Sequence, residues 1–304
     1  MNLRLVTILL MLSCVHSFAQ DVRCKVVDSA TAKPLTYATV IYSNNAKITY
    51  TDSLGYFLLE KDSVDVNDHV SIEFLGYDKR SFSVKELMSL KQIRLHQSAN
   101  VLAPVVVQAC KKLTQVVLNK RVGSIKQYVG PGPETRFIII ARYLNNKDRG
   151  GYIDNIKILM NETTANFKVP IRFHWYEWDD VQRAPGKELT DTNLVMYANA
   201  KGWNGFELPK NKIYFDVDNI VLGIEFIYPV EQIEQFKNLQ TAHEKLAWLQ
   251  NMQNRWSLGL QEGETGDDGS FYIMNNEPIK KYGGPGQKIF HKPAVKFTVT
   301  TCRK

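Results

Sequence analysis

Three short runs between residues 34 and 77 decide the fold of the N-terminal part of this chain. They read PLTYATVIY at 34–42, ITYTDSLGYFLL at 48–59 and VSIEFLGY at 70–77. Apolar residues alternate with polar ones in each run, and Asn, Asp, Ser and Gly interrupt the runs. This pattern is typical of short, half-buried strands joined by tight turns. It predicts one well-defined β domain and indicates no chemistry.

The same runs resemble the carboxypeptidase regulatory-like domain, a transthyretin-like sandwich of seven strands that is abundant in envelope proteins of Bacteroidota. The motifs that carry the resemblance follow one another in the family's order and spacing: Pro34-Leu35, Ala38-Thr39-Val40, Thr51-Asp52, Gly55-Tyr56-Phe57 and Leu75-Gly76-Tyr77. The resemblance covers about residues 21–100. It implies a small, stable, non-catalytic accessory module, and it implies no activity.

Local chemistry in this region supports the same fold. Asp52 and Ser53 favour a turn, and Gly55 can adopt a positive φ. Phe57 and Leu59 then return to the core side of the next strand. We therefore expect a domain over residues 20–100, with strands near 21–28, 36–43, 46–51, 56–60, 69–75, 79–84 and 91–96.

The first nineteen residues resemble a secretory signal peptide. Arg4 supplies the positive start, and the apolar run from Leu5 to Val15 is too short to span a bilayer. Ser17-Phe18-Ala19 offers a small-x-small cleavage site, with lipidation at Cys14 as the alternative. Because no later run suits a transmembrane helix, we expect an exported chain in the periplasm, at the outer membrane or outside the cell.

The cysteines indicate no zinc or redox site. Cys24, Cys110 and Cys302 remain after signal cleavage, and this odd count leaves at least one thiol unpaired. We expect isolated core residues. A disulfide between Cys24 and Cys110 is the alternative, because an exported protein can form one.

Residues 101–133 form an expected connector that carries much of the net charge of +7. Apolar residues at helical spacing predict a helix over 111–129, and the Gly-Pro-Gly-Pro sequence at 130–133 ends it. Its basic residues could dock onto an acidic partner or anionic lipid, or could form only the solvated face of the helix. They are Lys111, Lys112, Lys120, Arg121 and Lys126. Because the excess charge is confined to this segment, we expect no nucleic-acid partner.

A second domain is expected over residues 134–304. Short apolar segments separated by Gly, Asn and Asp clusters predict an antiparallel sandwich, loosely similar to galactose-binding-type jelly rolls. Helical spacing of apolar residues predicts one amphipathic helix inserted over 231–256. The fold class is therefore mostly β, with two antiparallel sandwich domains, a connector helix and an inserted helix.

We expect no enzymatic activity, no metal and no cofactor. His174 and Glu177 have the H-x-x-E spacing of a zinc site, with His291 as a distant third ligand. However, residues three apart on a strand point to opposite faces. His243-Glu244 lies in the predicted helix, but Ala247 stands where a metalloprotease helix has its second His.

The strand predicted over residues 171–178 offers the best candidate for a binding surface. One of its faces combines aromatic rings with charged groups, an arrangement that suits stacking on a sugar while polar groups bind hydroxyls. The alternative is that a neighbouring element covers this face. The candidate ligand-binding residues are Arg172, His174, Tyr176 and Trp178, together with Trp203 in a nearby Gly-rich loop.

The expected function is that of an exported, non-catalytic envelope or secreted protein. Its first sandwich would be a spacer, and its second would bind a ligand such as a glycan. The first alternative is a structural or assembly protein that docks onto an outer-membrane complex, and an unrecognised carboxypeptidase-type hydrolase is the second.

Overall fold

The chain divides into two compact units, residues 1–73 with 79–96 and residues 74–78 with 97–304. Strands dominate the described part of the chain and its three α-helices are short, so the predicted mostly β class is confirmed. The predicted signal peptide lies outside the described residues. The computed structural model describes residues 21–43, 47–98, 112–130, 132–133, 135–144, 151–161, 168–189, 193–198, 201–209, 213–215, 219–255, 257–262, 270–274, 278–281 and 291–303.

The first unit is a two-sheet arrangement of short strands. They are β1 (Val22–Asp28), β2 (Thr39–Tyr42), β3 (Lys47–Tyr50), β4 (Tyr56–Leu59), β5 (His69–Glu73), β6 (Arg80–Ser83) and β7 (Gln92–Leu95). One sheet has the order β4-β1-β7 and the other the order β3-β2-β5-β6. Only the β1–β7 pair among them is parallel. A short helix, α1 (Val84–Ser89), precedes β7.

The turn between β3 and β4 explains why Asp52 and Gly55 occur together. Oδ1 of Asp52 accepts the backbone N–H groups of Leu54 and Tyr56, both at 2.8 Å. Gly55 has a φ of 81°, and a Cβ there would stand 2.7 Å from the carbonyl oxygen of Val26. Only glycine combines this conformation with so close an approach. The turn returns the chain to the core, as predicted.

Cys24 is a free, buried thiol in β1. Its Sγ donates to the carbonyl oxygen of Leu90 at 3.0 Å, and burial raises its pKa to about 11. In the described part of the structure Cys24 forms no disulfide. Cys110 itself lies outside the described residues.

The second unit contains two antiparallel sheets. Its strands are β8 (Lys112–Leu118), β9 (Ile125–Val129), β10 (Phe137–Leu144), β11 (Gly151–Met160), β12 (Val169–Asp179), β13 (Ala184–Glu188), β14 (Val195–Ala198), β15 (Gly202–Glu207), β16 (Tyr214–Phe215), β17 (Asn219–Phe226), β18 (Leu258–Glu262), β19 (Ser270–Met274), β20 (Lys280–Lys281), β21 (His291–Pro293) and β22 (Val295–Arg303). The seven-stranded sheet has the order β13-β12-β17-β10-β19-β20, with β14 paired to β12. The eight-stranded sheet has the order β21-β18-β11-β22-β8, with β15 and β16 paired to β11 and β9 paired to β18.

Aromatic contacts join the inner faces of these two sheets. The rings of Tyr143 in β10 and Phe297 in β22 have centroids 5.0 Å apart, and those of Phe173 in β12 and Phe206 in β15 are 5.4 Å apart. The Tyr143 hydroxyl donates to the carbonyl oxygen of Pro293 at 2.8 Å. The second unit is thus a β-sandwich whose core lies between the sheets.

The connector helix predicted over residues 111–129 is wrong. β8 pairs with β22 along its whole length, and β9 pairs with β18. The helical spacing that supported the prediction linked apolar residues of two different strands. β-branched residues such as Val116 and Val117 favour the extended form when a partner strand is present. Asn119 then ends β8 with a φ of 50°.

The helix predicted over residues 231–256 is two helices, α2 (Val230–Lys237) and α3 (Ala242–Arg255). Thr241 and Glu244 start the second one. The Thr241 Oγ1 accepts the N–H of Glu244 at 3.1 Å, and Oε2 of Glu244 accepts the N–H of Thr241 at 2.9 Å. This capping box forces a new helix start. In the described ranges, no helix is long and apolar enough to cross a membrane.

Candidate ligand-binding surface

The open face predicted on β12 is buried. Arg172, His174 and Tyr176 are all less than a tenth exposed, and Trp178 is half-buried. Tyr176 belongs to a core cluster with Ile138, Ile140, Val221 and Phe271, against which Trp178 packs. Both faces of β12 are therefore covered, and the prediction that these four residues form an exposed binding face is wrong.

The polar residues of this face form a buried charge cluster instead. Glu225 in β17 is fully buried, and its carboxylate accepts from Arg172 at 3.0 Å and from Arg136 at 3.1 Å. His174 lies between two carboxylates, with its Nε2 2.9 Å from Glu225 and its Nδ1 2.7 Å from Glu188. Opposite charges thus compensate one another in the interior, as buried charges require.

Burial and pairing act in opposite directions on the titration of this cluster. Burial would raise the pKa of Glu225, but the two arginines and His174 hold it well below its usual range. Burial would lower the pKa of His174, but the carboxylates of Glu188 and Glu225 raise it overall. The cluster therefore favours an ionised Glu225 beside a protonated His174.

Gly223 in β17 makes room for this side of β12. It lies opposite His174, and a Cβ on it would stand 2.8 Å from Cε2 of Tyr176. The absence of a side chain lets the tyrosine ring lie across the strand. Burial raises the pKa of Tyr176 well above its usual value, so this ring is a neutral core residue.

Trp203 lies apart from the other predicted residues, on the outer face of the eight-stranded sheet. We use "outer face" for the side turned away from the core. Trp203 is 38% exposed, and Nζ of Lys296 in β22 lies 4.4 Å from its ring centroid. Lys157 of β11 is directly opposite Lys296 on one side and Gly205 on the other. A ring and two cations thus meet on an exposed surface.

The outer face carries further aromatic rings at a distance from Trp203. Tyr152 and Tyr214 are cross-strand partners whose ring centroids are 5.3 Å apart, and Tyr214 is 42% exposed. Beside them, Oγ1 of Thr300 donates to Oδ2 of Asp154 at 2.6 Å. On the other side of β11, Tyr128 is 44% exposed. The outer face therefore alternates exposed rings with hydrogen-bonding side chains.

The five basic residues predicted for docking are not placed on a helix. Lys112 and Lys126 belong to strands β8 and β9. Lys120 and Arg121 are exposed between these strands. Lys111 lies outside the described residues.

The H-x-x-E spacing of His174 and Glu177 in β12 does not bring metal ligands together. His174 is fully buried and Glu177 is exposed, because they lie on opposite sides of the strand. His291 belongs to β21 in the other sheet. Within the described ranges, no group of three or more His, Cys, Asp and Glu residues is arranged to hold a metal ion.

Sequence reasoning missed Glu225, Glu188 and the outer-face lysines. The sequence did contain a signal for Glu225, which lies in the apolar run IVLGIEFIY at 220–228. A single carboxylate in such a run either lies at the edge of a strand or takes part in a buried ion pair. The signal for Lys157 was weaker: it lies between Ile156 and Ile158 in a strand, and this alternation predicts that its side chain points outward. Its meeting with Lys296 depends on strand pairing between distant segments, which no local pattern reveals.

Comparison with known proteins finds a match for the N-terminal part of the chain. No curated protein matches the chain, and no solved structure matches it. A family model described as the CarboxypepD_reg-like domain matches residues 22–107. The resemblance noted in the sequence is confirmed for residues 22–107, which match this family over less than half of the chain.

Proposed function

We propose that this chain is an exported, non-catalytic binding protein whose second unit binds a saccharide chain on the outer face. The regulatory-like domain serves as a spacer in this proposal. Export is supported by the signal-like pattern of residues 1–19. The non-catalytic role is supported by the match of residues 22–107 to the regulatory-like family, which implies no activity.

The observation that carries the proposal is the set of exposed rings on the outer face. Trp203 pairs with Leu159 of β11, and Tyr214 pairs with Tyr152 of the same strand. At the rise of an extended strand these two positions are roughly 20 Å apart. Such a distance suits an extended ligand that contacts a ring at each end and polar groups between them.

A saccharide fits this surface better than an apolar protein partner. Protein interfaces bury a contiguous apolar patch at their centre. Here the rings are separated by polar side chains such as Thr298 and Thr300 in β22 and Gln115 in β8. Rings stack on the apolar C–H faces of sugars, while hydroxyl and amide groups bind sugar hydroxyls.

Binding of the full chain to soluble polysaccharides tests the proposal. We expect affinity electrophoresis to show retardation by at least one polysaccharide in a panel of neutral and acidic polymers. Trp203→Ala should weaken that binding about tenfold, the effect of losing one ring contact. Tyr197→Ala is the matched control, because Tyr197 is 46% exposed but lies in β14 of the other sheet.

The outcome also decides between the proposal and its main alternative. A folded chain that binds no polysaccharide, or a Trp203→Ala variant that binds as well as the parent, would contradict saccharide binding on the outer face. Docking onto another envelope protein would then be favoured. That alternative is supported by Leu113 and Val117, two exposed apolar residues on the edge strand β8 near exposed Lys120 and Arg121.

A further inference from the structure

We propose that Lys157 and Lys296, beside Trp203, form a subsite for the carboxylate of an acidic sugar unit. This inference rests on the proposed function, and it adds the chemical class of the ligand.

The strand register brings the two lysines to directly neighbouring positions on the outer face. Lys157 and Lys296 are directly opposite each other on neighbouring antiparallel strands. Side chains at such positions have Cβ atoms about 5 Å apart. Lys296 reaches across β11 to place its Nζ 4.4 Å from the centroid of Trp203. On the other side of β11, the stem of Lys157 lies over Gly205, with its Cε 3.7 Å from where a Cβ of that glycine would stand.

Two like charges in this position destabilise the free protein. Directly opposed cross-strand pairs of the same charge are unfavourable, and opposite charges are the stabilising combination. Within the described residues, neither lysine has a salt bridge to a carboxylate. Glu207 of β15 lies on this face too, and its Oε1 accepts from Asn155 at 2.8 Å. An anionic ligand group would supply a counter-charge to this pair, in addition to the Trp203 ring that already faces the ammonium of Lys296.

A sugar carboxylate suits the arrangement better than an isolated small anion. The ammonium of Lys296 lies over the ring of Trp203, so a ligand unit that contacts the remaining exposed part of the ring meets this cation at the same place. A small inorganic anion would use the charges but not the ring. A sugar acid offers an apolar face for the ring and a carboxylate that can accept charge-assisted hydrogen bonds from both ammonium groups.

A pair of polymers that differ only in charge tests the inference. Polygalacturonate carries one carboxylate on each sugar unit, and its methyl ester has the same backbone without the charge. We expect the full chain to bind polygalacturonate more tightly than the ester at low salt, and the difference to shrink as salt screens the charges. Lys157→Gln and Lys296→Gln should each weaken polygalacturonate binding about fivefold and leave binding of the ester unchanged.

Three control variants separate a ligand subsite from other roles. Lys157→Arg keeps the charge and should keep the preference for the acidic polymer. Lys187→Gln removes an exposed lysine from β13 in the other sheet and should have no effect. A ligand subsite also predicts that Lys157→Gln does not lower the midpoint of urea unfolding, whereas a structural lysine would lower it.

The failure of this inference can be distinguished from the failure of the proposed function. If Trp203→Ala weakens binding but the lysine substitutions leave the preference for the acidic polymer unchanged, the carboxylate subsite is wrong and saccharide binding stands. The subsite is equally wrong if the chain binds other polysaccharides but binds polygalacturonate no better than its ester. If no polysaccharide binds at all, both proposals are wrong.

Discussion

Glu225 is the residue on which the interior of the seven-stranded sheet depends. Its carboxylate compensates Arg172 and Arg136 and is hydrogen bonded to His174, and only the Arg136 side chain, which is 12% exposed, is in contact with water to any extent. Replacing one partner of a buried ion pair leaves the other charge uncompensated. We expect Glu225→Gln to reduce the free energy of unfolding by about 3–5 kcal/mol, a large fraction of a typical domain's stability.

Urea unfolding followed by tryptophan fluorescence measures this effect in the right part of the protein. All tryptophans of the chain, at positions 175, 178, 203, 248 and 256, fall within the second unit. Glu177→Gln is the matched control, because Glu177 is exposed on the same strand, β12, and should change stability by less than about 0.5 kcal/mol. A loss below about 1 kcal/mol for Glu225→Gln would mean that the arginines find other partners.

At the scale of single elements, the capping box at Thr241 decides where α3 begins. Its hydroxyl and the Glu244 carboxylate satisfy each other's backbone N–H groups. The new start also lets Trp248 of α3 pack against Phe236 of α2, with ring centroids 5.2 Å apart. We expect Thr241→Ala to reduce the free energy of unfolding by about 1 kcal/mol, measured by the same fluorescence titration.

Thr241→Ser is the natural comparison, because serine keeps the capping hydroxyl and should retain most of the stability. Equal losses for alanine and serine would show that the hydroxyl does not act as a cap. The motif was readable in the sequence as Thr-x-x-Glu at 241–244, but the apolar spacing across it suggested a single longer helix.

The elements that sequence predicted well are those whose pattern is local. The strands of the first unit alternate within themselves, and the Asp52–Gly55 turn carries its own chemistry, so β1 to β7 could be placed without knowing their partners. β8 failed for the opposite reason. Its extended form depends on pairing with β22, almost two hundred residues away in the sequence, and its own residues are compatible with a helix.

The candidate site shows the same division between local and distant information. The alternation of residues along β12 was read correctly, but the alternation could not reveal that the polar side is also covered. That burial comes from the partners Arg136, Glu188 and Glu225 and from the glycine at position 223, which belong to other strands. Trp203 was singled out for its ring, while its cationic neighbours became visible only with the pairing of β11 and β22.

At the scale of the whole molecule, the buried charge cluster ties the stability of the second unit to pH. Glu188 and Glu225 face His174 from β13 and β17, and Arg172 and Arg136 approach the same Glu225 carboxylate. The balance of these groups raises the pKa of His174 in the folded state above its ordinary value. The folded protein therefore holds this proton more tightly than the unfolded chain does.

The sign of the pH dependence follows from that difference. A histidine whose pKa is raised by folding contributes its full stabilisation below its unfolded pKa of about 6.5, and the contribution is lost as the pH rises through the folded pKa. We expect the free energy of unfolding, measured by tryptophan fluorescence in urea, to fall between pH 6 and pH 8.5. Burial raises the pKa of Cys24 to about 11, so that thiol titrates above this window and lies in the unit without tryptophan.

His174→Gln isolates the contribution of the imidazole from the other titrations of the chain. Glutamine is uncharged at every pH, so the variant should lose most stability relative to the parent at pH 6, where the parent holds an imidazolium between two carboxylates. The difference between the two proteins should narrow as the pH rises above the unfolded pKa of about 6.5, because the free energy gained from the proton held in the folded state then decreases. A difference that stays constant with pH would mean that His174 is neutral in the folded protein and that its hydrogen bonds alone stabilise the sheet.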